Sequence, residues 1–168
     1  MKKFLLLITV FCMTVSLSFG QTNTDWSKFK WLMGEWTGEG SGKPGDGKGS
    51  FSLKEDLGGK VLVRKNHSEY PATKDRPATI HDDLMVVYTD FSGATSKAIY
   101  FDNEGHTINY TISASEKSVV LISENIPHVP VFRLTYEMID TATVNIRFEM
   151  SQVGDTFMIY TEGRCIRK

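Results

Sequence analysis

The chain has 168 residues, with 19 Lys and Arg against 20 Asp and Glu, and two cysteines. That length suits one domain around one core. The near-neutral charge and the lack of a basic run exclude an electrostatic footprint for nucleic acid.

Lys2 and Lys3 precede an apolar run from Phe4 to Val15, and Ser18-Phe19-Gly20 supplies small residues of the kind a signal peptidase reads. Residues 1–20 are therefore expected to be a bacterial signal peptide, and 21–168 a single exported domain, periplasmic or secreted. The run is too short to span a bilayer comfortably, and no other segment approaches that length, so no membrane span is expected. No cysteine closely follows the run, so no lipid anchor is expected either. Cys12 leaves with the signal, and Cys165 remains as a single thiol. Without an internal disulfide the domain must be held by packing and backbone pairing, and Cys165 is read as a small residue of the last strand.

Residues 26–33 allow one or two helical turns. Beyond them, apolar and polar residues alternate with period two, and turns recur at about ten-residue spacing, the pattern of an antiparallel sandwich or barrel. Ten strands are predicted, at 35–40, 48–56, 60–70, 80–89, 96–102, 106–114, 118–124, 131–139, 143–151 and 156–166. Leu57-Gly58-Gly59 and Asn103-Glu104-Gly105 place glycine where hairpin turns need positive φ. The ninth strand is the clearest, with Val144, Ile146, Phe148 and Met150 on one face and Asn145, Arg147, Glu149 and Ser151 on the other. Short links imply that each strand pairs with the next. Ten such strands tend to curl and close, because closure removes exposed edges. The expected fold is all-β, an up-and-down antiparallel barrel of about ten strands.

The segment "WLMGEWTGEG" carries Gly34-Glu35-Trp36 at the start of the first strand, and the chain ends Gly163-Arg164-Cys165-Ile166-Arg167-Lys168. This resembles lipocalin-type calycin barrels, in which a Gly-x-Trp packs against a basic residue of the last strand. The resemblance implies that Trp36 plugs one barrel end under Arg167 or Arg164. Together with "EDLGGKVLVRKNHSE", "DDLMVVYTD" and "AIYFDNEGH", the segment is also similar to a DUF1579-type family of bacterial domains of unknown function, described as calycin-like barrels. Gly34, Trp36, Gly38 and Gly40 further resemble the first-strand motif of nitrobindins, which implies heme held by a histidine near the C-terminus. This chain has no histidine after His128, so heme is disfavoured and no cofactor is expected.

The four histidines are His67, His81, His106 and His128. No pair has the tight spacing of a zinc site, so no metal is expected. His106 shares the parity of Ile108, Tyr110 and Ile112, which places it at a barrel mouth if that face points inward. His128 lies in a proline-bearing link that closes over one of the two mouths. His81 and Asp83 share a strand face while Asp82 points the other way, and strand-edge solvation accounts for this "HDD" run. Arg133 and Arg147 oppose apolar stripes and are assigned to solvent. Arg64 is flanked by apolar residues on both parities and is the arginine best placed to anchor a ligand carboxylate.

The leading expectation is a barrel that binds a small apolar or amphipathic molecule, with Arg64, His106 and His128 lining or rimming the site. One alternative is a hydrolase or isomerase using a histidine and a carboxylate in the barrel. No nucleophile stands beside a base in the sequence, so no catalytic residue is assigned. The other is an interaction module whose barrel is filled by its own side chains. Interior volume separates the filled barrel from the other two.

Overall fold

The computed structural model describes residues 24–39, 47–91, 93 and 96–168. The expected signal peptide at 1–20 and the glycine-rich link at 40–46 lie outside them. A 3-10 turn, Ser27–Phe29, leads into β1 (Gly34–Gly38), β2 (Lys48–Asp56), β3 (Val61–Tyr70), β4 (Thr79–Thr89) and β5 (Ser96–Asp102). There follow β6 (Thr107–Ala114), β7 (Ser118–Ser123), β8 (Val131–Met138), β9 (Thr143–Ser151) and β10 (Met158–Arg167). Each strand pairs antiparallel with the next, and β1 closes against β10. The result is a closed ten-strand up-and-down barrel, so no strand edge runs the length of the sheet unpaired.

Alternation decides which side chains enter the barrel. Leu53, Arg64, Met85, Tyr100 and Ile108 stand in one row across β2 to β6. Leu53, Arg64 and Met85 of that row are buried, which fixes the inward side. The links at 57–60, 115–117 and 139–142 mark the lower end, and those at 71–78, 103–106, 124–130 and 152–157 the upper end.

The lower end is plugged. Trp36 is 1% exposed, stacks on Phe51 at 5.9 Å between centroids, and donates from its indole nitrogen to the Leu32 carbonyl at 2.9 Å. Trp26, Phe29 and Leu32 are buried with it, and Trp26 Nε1 donates to the Gly59 carbonyl at 2.9 Å. The Arg167 guanidinium lies 4.3 Å from the Trp36 ring. Its Nη1 donates to the Met33 carbonyl at 2.6 Å, Nη2 to the Trp31 carbonyl, and Nε to Thr141 at 3.3 Å. Arg164 is exposed. Gly34 completes this lock. Its φ is 123°, and a Cβ there would sit 2.7 Å from Arg167 Nη1, so a side chain would expel the guanidinium.

The outer face is not uniformly solvated. Arg133 and Glu149 point outward yet form a two-pronged ion pair, Nε to Oε2 at 2.7 Å and Nη2 to Oε1 at 2.8 Å. The Phe157 ring lies 4.1 Å from the guanidinium carbon and helps to cover the pair. Alternation alone assigns Arg133 to water; the partner across the β8–β9 ladder is what draws it down onto the sheet.

Candidate functional site

At mid-height the barrel contains a charge. Arg64 is 7% exposed, its Nη1 donates to Asp83 Oδ1, and its guanidinium carbon lies 5.6 Å from the Phe51 ring and 5.9 Å from the Tyr136 ring. Burial works to lower the Arg64 pKa, but the oxygens of Tyr136 and Asp83 more than offset it and hold the guanidinium above its ordinary range. The charge of Arg64 is thus met by the chain's own carboxylate. This alters the reading of Arg64 as an anchor for a ligand carboxylate. It also alters the solvated reading of "HDD", because Asp83 faces the barrel interior and is buried. The parity that put His81 and Asp83 on one face was the available signal; the pairing register of β3 with β4 supplies the partner.

Above this pair a hydrogen-bonded wall climbs β4, β5 and the β5–β6 turn. His81 Nε2 lies 3.0 Å from the Tyr100 hydroxyl and 3.6 Å from Asp83 Oδ2, and its Nδ1 lies 3.1 Å from Glu104 Oε1. The Tyr100 hydroxyl donates to Asp102 Oδ2 at 3.2 Å. Burial raises the Tyr100 pKa, and Asp83 and Asp102 raise it further, so the phenol remains a donor. Asp102 also accepts from the backbone N–H groups of Glu104 and His106, and its Oδ2 lies 2.9 Å from His106 Nδ1. Burial alone would raise the Asp102 pKa; the donors from His106 and Glu104 outweigh it and hold the carboxyl below the ordinary range. His106 precedes β6 and is exposed on the upper rim. His128 is also exposed, at φ 67° in the β7–β8 link. The two histidines therefore belong to the same mouth, and neither lines the interior.

The opposite wall is aromatic. Phe132 and Phe148 are stacked 5.6 Å apart at 11°, and Tyr160 meets Phe148 edge-on at 6.0 Å. Tyr160 sits where the β9–β10 register shifts between Ile159 and Thr161, a bulge that re-aims its side chain. Gly163 faces Ile146 across that ladder, and a Cβ built there would meet no atom within 4 Å. Cys165, next down the same face, has its thiol pushed up to about 11, mainly by burial, which suppresses the reactive thiolate.

Below Arg64 the enclosed space is about 10 Å³, between Phe51, Arg64, Leu121 and Tyr136 among others. A closed cavity of several hundred Å³ is therefore not what fills this half; side chains are. The larger concavity, about 650 Å³, lies on the outer face of β1 to β5 and is lined by residues that include Lys65, His67, Asp82, Leu84 and Phe101. There His67 is gripped by Asp82 at 2.6 Å and Glu69 at 3.1 Å, which raise its pKa, Asp82 most. Among the described residues no group of His, Cys, Asp and Glu is arranged to hold a metal ion.

Among solved structures the chain is similar to Rv2717c from M. tuberculosis, at 13% sequence identity and a TM-score of 0.54, covering 83% of this chain and 94% of that one. At that identity the likeness concerns the fold, a β-barrel of matching extent. No protein-family model matches the chain, and no curated protein matches it. The likeness to DUF1579-type domains thus rests on the quoted segments alone.

Proposed function

We propose that this is an exported, calycin-like barrel that binds a small apolar or amphipathic molecule at its upper mouth. One observation carries the reading. Two unlike walls face each other there, a hydrogen-bonded one around His81, Tyr100 and Asp102 and an aromatic one of Phe132, Phe148 and Tyr160, with open space beside Gly163. Apolar ligand surface would be buried against the aromatic wall, at roughly 25 cal/mol per Å² before ordering costs. Polar ligand groups would be oriented by His81, with His106 and His128 at the rim. Arg64 acts on this reading as the buried floor, paired with Asp83.

A second reading, the filled barrel acting as an interaction module, is favoured by the small enclosed volume and by the outer groove. The convergence of His81, Asp83 and Tyr100 is the observation that favours an acid–base enzyme. A Nile red fluorescence titration separates mouth from groove. Gly163→Phe, which grows a ring into the mouth, is expected to weaken dye binding at least about tenfold, the order of losing a buried aromatic contact. Phe101→Glu, in the outer groove, is expected to leave it unchanged. The opposite pattern would transfer the proposal to the groove and to the filled barrel.

A further inference from the structure

We infer that the molecule taken at the upper mouth is an amphipathic cation, an apolar body bearing an ammonium-like group, and not a fatty-acid-like anion. This rests on the reading of the mouth as the ligand's seat and adds the sign of the ligand's charge. An arginine inside a small barrel invites a ligand carboxylate. Here the guanidinium of Arg64 is buried and its Nη1 already donates to Asp83, so its charge is met within the protein. A ligand carboxylate that took the place of Asp83 would leave that buried carboxylate unpaired, which is strongly unfavourable.

Above Arg64 the next inward row of β3 to β5 is Asn66, Asp83 and Asp102, and Ser68 and His81 stand over it. Among the described residues, no strand position that faces inward above Arg64 is a Lys or Arg. Acids are present instead. The Asp102 side chain is 4% exposed, and its hydrogen-bond donors keep it ionised. Glu104 stands at the rim beside it. The histidines of this wall are each set against one of these carboxylates, His81 Nδ1 at 3.1 Å from Glu104 Oε1 and His106 Nδ1 at 2.9 Å from Asp102 Oδ2. An anionic headgroup therefore meets carboxylates with no lysine or arginine among them, and partial burial strengthens the repulsion.

The facing wall selects the same sign by a different mechanism. Phe132, Phe148 and Tyr160 form one aromatic cluster. The face of an aromatic ring is the negative part of its quadrupole, so it attracts a cation and repels an anion. A ligand's apolar body packs on these rings, and its charged head is held between ring faces and carboxylates. Both contacts favour a cation; neither favours a carboxylate.

Displacement of Nile red at pH 8 and low salt tests it, with dodecyltrimethylammonium and dodecanoate as competitors below their micelle-forming concentrations. Their tails match and their heads carry opposite charges. The ammonium is expected to displace the dye at a concentration at least about tenfold lower than dodecanoate. Glu104→Gln, at an exposed rim position, is expected to narrow that gap about threefold, the order of one partly screened charge contact. Glu116→Gln makes the same change in net charge at the exposed lower end and is expected to leave the gap unchanged. The inference is overturned if dodecanoate competes as well as the ammonium. It is equally overturned if the two variants narrow the gap alike, since net charge alone would then explain it. Gly163→Phe separates this failure from that of the underlying reading. Dye binding that weakens in Gly163→Phe while the competitors tie removes the charge preference and leaves the mouth as the seat. Dye binding undiminished in Gly163→Phe removes the seat, and this inference with it.

Discussion

The lower and upper halves of this barrel are made from the same ten strands and differ in what the inward rows carry. Below Arg64, Trp36, Leu62, Leu121, Tyr136 and Val144 are at most 1% exposed, and Arg167 ties the last strand back over Trp36. Above it, Phe132, Phe148 and Met150 are only half-buried, and Gly163 looks onto open space. The lower half spends its aromatic residues on packing against one another and on capping. The upper half keeps polar and aromatic groups apart on facing walls. Strand pairing alone therefore does not make an opening; the proposed site begins where the inward side chains become less buried.

Substitutions on either side of this boundary test the contrast. The largest expected effect is that of Trp36→Ala, which removes the plug and leaves Arg167 without its ring; a loss of about 3–5 kcal/mol should appear as a lower midpoint in urea. Arg64→Met strands the buried Asp83 carboxylate and is expected to cost about 3–4 kcal/mol, most of it recovered in the double variant Arg64→Met with Asp83→Leu. No recovery would mean that the ion pair does more than satisfy itself.

Smaller effects lie outside the lower core. Glu149 is held below the ordinary carboxylate range, first by its hydrogen bonds from Arg133. Its contribution should be full above the ordinary glutamate pKa of about 4.3 and fade as pH falls through the lowered folded value. Glu149→Gln should therefore cost about 1–2 kcal/mol at neutral pH and flatten the acid limb of stability against pH. Phe148→Ala, on the open wall, should cost only about 1–2 kcal/mol because the ring is half-buried; a cost equal to that of Trp36→Ala would erase the distinction between the halves. Smallest of all, Cys165 in the folded chain should react with a disulfide reagent at pH 8 about 100-fold more slowly than a free cysteine. A hemin titration should give no histidine-dependent absorption band.

Much of the frame is legible in the residues. Period-two alternation and the turn glycines place ten strands within a few residues of their bounds, β10 two residues late at its start. The Gly34-Glu35-Trp36 spacing and a terminal arginine suggest the plug through their resemblance to lipocalin-type barrels, and closure of β1 on β10 decides that Arg167, not Arg164, lies over the indole. The site is less legible. Arg64 reads as a lone charge until the β3–β4 register brings Asp83 to it, and the Tyr100–Asp102–His106 ladder depends on a turn whose donors all converge on one carboxylate. Facing walls exist only after closure, when β4 and β9 look at each other across the axis; no local pattern carries that.

The most direct test of the central claim is native mass spectrometry of the protein taken from the organism that makes it, beside Gly163→Phe prepared in the same way. A retained small molecule on the wild type, seen as a discrete mass increment, and its loss from the variant are the expected results. A bare mass for the wild type, or an increment that survives Gly163→Phe undiminished, would contradict a ligand seated in the upper mouth.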